Sequence, residues 1–173
     1  MKRIAWGISG AGHWLRQCME IIAAHDNIDV FLSRAAEEVI RMYRPRQLLE
    51  RPGCAVLRDT MASSPVVSRF SKDVYKVLVI APATSNSVAK FVHGISDSLI
   101  SNIFAQAGKS RVPIVVLPTD IAPEMDSETP RGTLVKVYPR PIDLENTARL
   151  RQFPGVTVVE SIEELQVCLS TYL

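Results

Sequence analysis

The chain has 173 residues, of which 47% are hydrophobic and 22% charged, a composition typical of a globular protein with a substantial buried core. The net charge of +2 and the absence of any lysine or arginine run argue against a nucleic-acid-binding protein. No apolar run approaches the about 20 residues of a membrane span, and the first apolar run is too short for a signal peptide.

The cysteines and histidines form no disulfide or metal-binding pattern. The cysteines are odd in number and far apart, and no CxxC pair occurs among Cys18, Cys54 and Cys168. The histidines likewise lack metal-ligand spacing (His13, His25 and His93). Because disulfide frameworks belong to oxidising compartments, this usage predicts a cytoplasmic protein without a zinc site.

Short apolar runs alternate with amphipathic stretches through the first half of the chain. The runs are the length of buried strands, and the stretches have helical spacing. The predicted elements are strand 2–8, helix 13–24, strand 28–32, helix 34–43, a helical piece 44–51, strand 55–57, and a loop 60–72 with one helical turn near 66–70.

A glycine-rich turn, GISGAG at 7–12, joins the first strand to the first helix. Backbone N–H groups in such a turn, together with the helix dipole, favour a phosphate. The glycine spacing is not the G-x-G-x-x-G of dinucleotide-binding folds, and the lysine of a Walker loop is missing. Two interpretations stay open: a phosphate-binding turn, or a tight turn that only packs helix against strand. Ser33 has the same two readings, as a helix cap alone or as a cap that also binds phosphate.

The second half of the chain continues the alternation. The predicted elements are strand 77–80, a small polar turn 81–86, helix 87–93 ended by Gly94, helix 98–108, strand 112–117, a mobile flap 121–133, strand 134–138, helix 141–152, strand 156–159, and helix 161–169 with a capping box from Ser161 to Glu164. Strands that alternate with helices predict one doubly wound α/β domain over residues 1–173, with a parallel sheet.

Four motifs in this order resemble one known family. They are GISG after strand one, Ser33 after strand two, APATSN at 81–86, and GISDSLISN at 94–102. The sequence resembles the homo-oligomeric flavin-containing cysteine decarboxylase superfamily, whose members are flavodoxin-like FMN proteins that form trimers or multiples of trimers. The resemblance implies a flavodoxin-like fold, FMN as cofactor and a homo-oligomer with the flavin near the subunit interface.

The resemblance also implies which residues hold FMN. The first turn and the serine after strand two would bind its phosphate, the APATSN segment would lie along its ribityl chain and ring, and the G-x-x-D segment would complete the pocket. The implied cofactor-binding residues are Ser9, Gly10, Ala11, Ser33, Pro82, Ala83, Thr84, Asn86, Gly94, Ser96 and Asp97.

Two departures separate the chain from the decarboxylases. Ser68 stands where those enzymes carry a catalytic histidine, and the segment 117–120, which ends in Asp120, lacks their Met-Asn substrate clamp. The sequence is more similar to the archaeoflavoprotein branch, which includes the acceptor-type dihydromethanopterin reductase. The likeness to that branch extends through the C-terminal third of the chain.

The resemblance therefore implies an FMN-dependent oxidoreductase, rather than a cysteine decarboxylase, that reduces dihydromethanopterin to tetrahydromethanopterin. A ferredoxin or NAD(P)H would supply electrons to FMN. The proton donor stays open among Asp97, Asp120, Tyr43 and His13.

The alternative is an FMN electron-transfer protein that accepts electrons from a ferredoxin-like partner and has no small-molecule substrate. An acidic partner would need a basic docking surface. The loose cluster of Arg41, Arg44, Arg46 and Arg51 would provide one, although a solvated surface without a partner explains the cluster equally well.

Overall fold

A computed structural model of the chain describes residues 2–43, 49, 54–60 and 65–173, with only the backbone described at 65 and 66. The predicted helical piece 44–51, except for Leu49, lies outside these residues. So do three arginines of the predicted basic cluster, Arg44, Arg46 and Arg51.

Within the described ranges, eight strands form a six-stranded parallel sheet and a separate hairpin. They are β1 (Arg3–Ile8), β2 (Ile28–Leu32), β3 (Val56–Arg58), β4 (Tyr75–Ala83), β5 (Ile114–Pro118), β6 (Met125–Glu128), β7 (Leu134–Val137) and β8 (Val156–Val158). The large sheet has the order β3-β2-β1-β4-β5-β8. Five of these strands, β2-β1-β4-β5-β8, follow the 2-1-3-4-5 order of flavodoxin-like folds, and β3 extends one edge. The predicted doubly wound flavodoxin-like fold is thus confirmed.

Six α-helices in the part of the chain that the structure describes cover the two faces of the sheet. They are α1 (Leu15–Ala23), α2 (Arg34–Tyr43), α3 (Ser85–His93), α4 (Leu99–Lys109), α5 (Pro141–Leu150) and α6 (Ile162–Ser170). One hydrophobic layer joins α1, α2 and α6 to the sheet, and the other joins α3 and α4. Side chains of β1 alternate between the layers, since Trp6 packs in the first and Ala5 in the second.

The switch point of the sheet lies between β1 and β4. The strands that follow β1 in sequence, β2 and β3, lie on one side of it in the sheet. The strands from β4 onward lie on its other side. Helices therefore leave the carboxyl ends of these two strands towards opposite faces, and a crevice opens between them. Ligands of open α/β sheets bind in this crevice.

Strand β4 is longer than predicted, because it continues through the segment 81–83 that the sequence assigns to a turn. Neighbouring strands extend the pairing beyond Ile80. The Ser9 N–H donates to the Pro82 carbonyl at 3.2 Å, and the Thr119 N–H donates to the Ala83 carbonyl at 2.9 Å. A proline has no N–H to contribute, but its carbonyl still accepts.

The predicted mobile flap 121–133 is wrong in part, since it contains β6, which pairs antiparallel with β7. Charges on the two strands favour this pairing. Lys136 Nζ lies 2.9 Å from Glu124 Oε1 and 3.1 Å from Asp126 Oδ1. Helix α1 begins at Leu15 rather than at residue 13, because Trp14 has a left-handed φ of 59° and acts as its N-cap.

The part of the chain that the structure describes contains no helix long and apolar enough to cross a membrane. In the same residues no group of three or more His, Cys, Asp or Glu side chains could hold a metal ion. Cys18 and Cys168 are free thiols, and Cys18 is buried.

Candidate functional site

A cavity of about 560 Å³ opens at the carboxyl ends of β1, β2 and β4. This volume falls within the range of small-molecule sites, about 300–1,000 Å³. Polar and charged side chains dominate its wall, which is lined by Ser9, Gly10, Ser33, Arg34, Ala35, Asp59, Thr84, Asn86, Ser87, Lys90, Asp97, Ser98 and Ile100. The cavity therefore suits a polar ligand larger than a single ion.

Three helices begin at this cavity, namely α2, α3 and α4. All three carry side-chain caps: the Thr84 hydroxyl accepts from the Ser87 N–H at 3.2 Å, the Ser98 hydroxyl accepts from the Ser101 N–H at 3.3 Å, and Ser33 caps α2. A helix N-terminus carries a partial positive charge and N–H groups without intrahelical partners. Three such ends around one cavity favour an anionic group in the ligand.

The turn after β1 approaches the first residues of α2 closely. A Cβ atom at Gly10 would lie 2.4 Å from the Ala35 Cβ, so only glycine fits there. The Ser33 hydroxyl accepts from the Ala36 N–H at 3.0 Å and can still donate its own hydrogen. Backbone and hydroxyl donors of the turn and of α2 therefore face the same corner of the cavity.

Ser9 joins β1 to β4 at the floor of the cavity. Its hydroxyl donates to the Pro82 carbonyl at 3.0 Å and accepts from the Thr84 N–H at 2.8 Å. The residue is 2% exposed. Ser9 thus fixes the geometry of the site, and its remaining lone pair is its only free hydrogen-bonding capacity.

Two cations and two carboxylates line the cavity in pairs. The Lys90 ammonium lies 2.7 Å from Asp97 Oδ1, and this contact lowers the pKa of the Asp97 carboxyl. The Asp59 carboxylate accepts from the Leu99 N–H at 3.1 Å, while the Arg34 guanidinium donates to the Asp59 carbonyl at 3.2 Å. The Asp59 carboxylate thus accepts a hydrogen bond from the N-terminus of α4. The guanidinium of Arg34 donates only through Nε in this contact, so its other N–H groups can bind a ligand.

The structure brings most of the predicted cofactor-binding residues to this cavity. Its wall includes Ser9, Gly10, Ser33, Thr84, Asn86 and Asp97. The others lie elsewhere: Ala11 lines a neighbouring cleft, Pro82 and Ala83 are buried in β4, and Gly94 and Ser96 are exposed in the loop before α4. Contact with a cofactor stays a prediction for all eleven residues.

Several wall residues do not appear among the predicted ones. Lys90 is four residues after Asn86, so helical periodicity places both on the same face of α3 and would have revealed it. Arg34 follows Ser33 directly, which is a similar signal. Asp59 and Ile100 come from distant parts of the chain, and no local pattern marks them.

A second, smaller cleft lies at the ends of β1 and β5, under the β6–β7 hairpin. It has two parts of about 190 Å³ and 160 Å³. His13 lines both parts, Asp120 lines the first and Tyr43 the second. Three of the four candidate proton donors therefore meet in this cleft, and Asp97 lies in the larger cavity.

Nearly the whole chain matches one protein family, and two archaeal proteins are similar to it in sequence. The Flavoprotein family matches residues 1–171. The dihydromethanopterin reductase (acceptor) of Methanosarcina mazei is 42% identical over 142 residues, which are 75% of this chain and 59% of the reductase. An uncharacterised protein of Methanocaldococcus jannaschii is 34% identical over 173 residues, 96% of this chain and 93% of that protein. This chain thus spans less than two thirds of the reductase.

Among solved structures, Burkholderia xenovorans DmrB in complex with FMN, called a cubic protein cage for redox transfer, is similar over almost the whole chain. The TM-score is 0.88 and the identity 39%, with coverage of 99% of this chain and 95% of DmrB. At this similarity the two proteins share both fold and strand order.

Proposed function

The chain belongs to the Flavoprotein family, and from this membership we propose that residues 1–173 form an FMN-binding domain that reduces dihydromethanopterin to tetrahydromethanopterin. The observation that carries the proposal is the cavity at the switch point, where three helices begin and a glycine turn meets Ser33. The similarity to the Methanosarcina mazei reductase supplies the substrate class.

The residues of the cavity fit FMN by their chemistry. A phosphate suits the corner formed by Gly10, Ser33 and the first turn of α2, where Arg34 adds a positive charge. The hydroxyls and amide of Thr84, Asn86 and neighbouring Ser87 suit a ribityl chain, whose hydroxyl groups need hydrogen-bond partners.

When bound, FMN supplies the redox chemistry, and the chain binds, orients and protects it. Arg34 and Lys90 balance the charge of the phosphate, and Ser9 holds the two strand ends at a fixed distance. Ser68 lies in a 3₁₀-helix (Pro65–Arg69) and is not among the residues that line the cavity. The site therefore offers no base at the position where cysteine decarboxylases carry their histidine.

We infer a homo-oligomer, a trimer or a multiple of trimers, in which neighbouring copies complete the flavin site. DmrB, which is 39% identical, forms a cubic cage and supports this inference. A cytoplasmic location and a ferredoxin or NAD(P)H donor are consistent with a pterin reductase in which Cys18 and Cys168 are free thiols.

An absorption spectrum and an anaerobic titration test the proposal. The purified protein should carry FMN or take it up on reconstitution. Once pre-reduced, it should be reoxidised stoichiometrically by dihydromethanopterin. Reoxidation by a protein acceptor but not by the pterin would instead establish an electron-transfer protein. Failure to bind FMN at all would overturn both functions.

A further inference from the structure

The larger cavity and the smaller cleft adjoin the same turn, residues 9–12. Ser9 and Gly10 line the cavity, whereas Ala11 and Gly12 line the cleft. The end of β5 adjoins the same place, because Thr119, which lines the cleft, donates its N–H to the Ala83 carbonyl at 2.9 Å. A ligand in the cleft would therefore be next to a flavin in the cavity.

His13 lines both parts of this cleft, as does Asp126 of β6. Its ring packs against Trp14, with ring centroids 4.1 Å apart. Its Nε2 atom is buried and has no hydrogen-bond partner among the described residues. Because a buried polar atom without a partner is costly, an unpartnered Nε2 on a residue that lines a cleft indicates a group that is bonded when a ligand is present.

Asp120 lies in the same cleft and is held in place from two sides. The Thr119 hydroxyl donates to Asp120 Oδ2 at 3.0 Å, and the Thr147 hydroxyl donates to the Asp120 carbonyl at 3.2 Å. Burial lowers the pKa of the His13 imidazole, and the nearby Asp120 carboxylate opposes that shift. The carboxylate thus stabilises the protonated imidazole.

The other two candidate donors are less suited to deliver a proton. The ion pair with Lys90 lowers the pKa of Asp97, so this residue is a carboxylate at neutral pH. The Tyr43 hydroxyl already donates to the Glu128 carbonyl at 2.9 Å, and burial raises its pKa.

We propose that the cleft is the pterin subsite, that His13 Nε2 is its proton donor, and that Asp120 is the positioning residue behind it. This inference rests on the proposed function. The carbon of the C=N bond of the dihydropterin would take a hydride from FMN that the electron donor has reduced, and the flavin would be left oxidised. The π electrons of that bond move to its nitrogen, which takes the proton from His13 Nε2. His13 is then neutral and regains a proton from solvent.

The charged groups around the cleft set the sign of the pH dependence. Those that face His13 from the elements packed against it are Arg16 of α1, Tyr43 of α2, Asp120 after β5, and Asp126 and Glu128 of β6. Carboxylates outnumber cations in this set. Because a protonated donor is required, pterin reduction should be fast at acidic pH and should slow as pH rises through the pKa of His13.

Stopped-flow reoxidation of the pre-reduced FMN protein tests the inference, with dihydromethanopterin and with ferricyanide as separate oxidants. His13→Gln should slow reoxidation by the pterin by about 100-fold or more and remove its pH dependence. Reoxidation by ferricyanide needs no proton donor and should keep its rate. His93→Gln, which replaces an exposed histidine at the end of α3, is the matched control and should behave as wild type.

Asp120→Asn gives a readout that does not depend on activity. In the full-length FMN-free protein, an NMR titration of the His13 ring should show a lower pKa in this variant than in wild type.

A His13→Gln variant with the wild-type pterin rate and pH profile would overturn the inference and leave the proposed function intact. An unchanged His13 pKa in Asp120→Asn would overturn the role of Asp120. Wild-type protein that the pterin does not reoxidise would overturn the proposed function, and this inference with it.

Discussion

The Ser9 hydroxyl accepts a hydrogen bond of 2.8 Å from the Thr84 N–H, across 75 residues of sequence. The same hydroxyl donates to the Pro82 carbonyl. This pair of bonds joins the carboxyl ends of β1 and β4 at the switch point of the sheet. The floor of the cavity is therefore held by a side chain rather than by strand pairing alone.

Ser9→Ala should lower the free energy of unfolding by about 0.5–1.5 kcal/mol, because the half-buried Thr84 N–H would lose its acceptor. The Pro82 carbonyl would keep its bond from the Ser9 N–H. Urea denaturation of the FMN-free protein measures the change. Ser71→Ala removes an exposed hydroxyl that donates to the Ser68 carbonyl, and its effect should stay within about 0.5 kcal/mol. Equal effects of the two variants would contradict this account.

Gly10→Ala should weaken FMN binding at least about ten-fold, a loss of about 1.4 kcal/mol. The added Cβ would lie 2.4 Å from the Ala35 Cβ and would push the turn away from α2. Gly108→Ala is the matched control, since nothing lies within 4 Å of a Cβ there and the residue is in helix α4. That variant should gain stability, by up to about 1 kcal/mol, because alanine favours the helix.

FMN fluorescence quenching measures both glycine variants. If Gly10→Ala bound FMN as tightly as Gly108→Ala, the close approach of the turn to α2 would not form part of the site.

Much of the fold could be predicted because local patterns and tertiary structure agree. The strand 28–32 and the helix 34–43 were predicted with the bounds that β2 and α2 have. The Ser161 cap of α6 was also correct, since its hydroxyl accepts from the Glu164 N–H at 3.1 Å. The Glu164 carboxylate, however, accepts from the Glu160 N–H rather than from Ser161, so the capping box is only half formed.

Other features depend on contacts that no local pattern records. The extension of β4 needs the Ser9 and Thr119 N–H groups, which come from two other strand ends. The start of α1 is set by the left-handed backbone of Trp14, and the Tyr43 hydroxyl of α2 leaves no room for a Cβ at Gly12 in the turn before it. Asp59 enters the cavity wall because its carboxylate binds the N-terminus of α4, forty residues away in sequence.

Arg34→Gln should weaken the binding of FMN by about 10- to 100-fold, the value of one charge-assisted hydrogen bond of about 1.5–3 kcal/mol. Riboflavin lacks the phosphate, so its affinity should not change. Isothermal titration of the FMN-free protein with each ligand measures the difference. Arg41→Gln, at an exposed position in the last turn of the same helix, is the control and should bind both ligands as wild type does.

A parallel loss of riboflavin and FMN affinity in Arg34→Gln would show that the arginine supports the fold of the cavity rather than the phosphate. An unchanged FMN affinity would place the phosphate away from α2. The FMN difference should also shrink as salt concentration rises, because exposed charges are screened.

A buried carboxylate joins three strands near their amino ends, at the end of the sheet away from the cavity. Asp29 of β2 is 2% exposed, and it lies 2.7 Å from the Arg3 guanidinium of β1. The Tyr75 hydroxyl of β4 donates to its other oxygen at 2.9 Å. Arg69 extends the network from the 3₁₀-helix, at 3.3 Å from the Tyr75 hydroxyl. The cluster thus connects the three central strands at the amino end of β4.

This cluster predicts a loss of stability in alkaline solution. Burial, with the Asp29 carboxylate, raises the pKa of Tyr75 to about 12, while an unfolded tyrosine has a pKa of about 10. A group with a raised folded-state pKa stabilises the fold fully below the unfolded value, so stability should fall between about pH 10 and 12, by an amount on the order of 2 kcal/mol.

Tyr75→Phe should be less stable than wild type at pH 8, by about 1 kcal/mol, because the Asp29 carboxylate loses a donor. The two proteins should converge as pH rises above about 10, since only wild type must bury a phenol that tends to ionise. Urea denaturation at pH 8, 10 and 11 measures both trends. Tyr138→Phe removes a phenol of a residue that is 69% exposed and should keep the wild-type slope. A constant difference between Tyr75→Phe and wild type across this range would show that Tyr75 ionises as readily in the folded protein as in the unfolded chain.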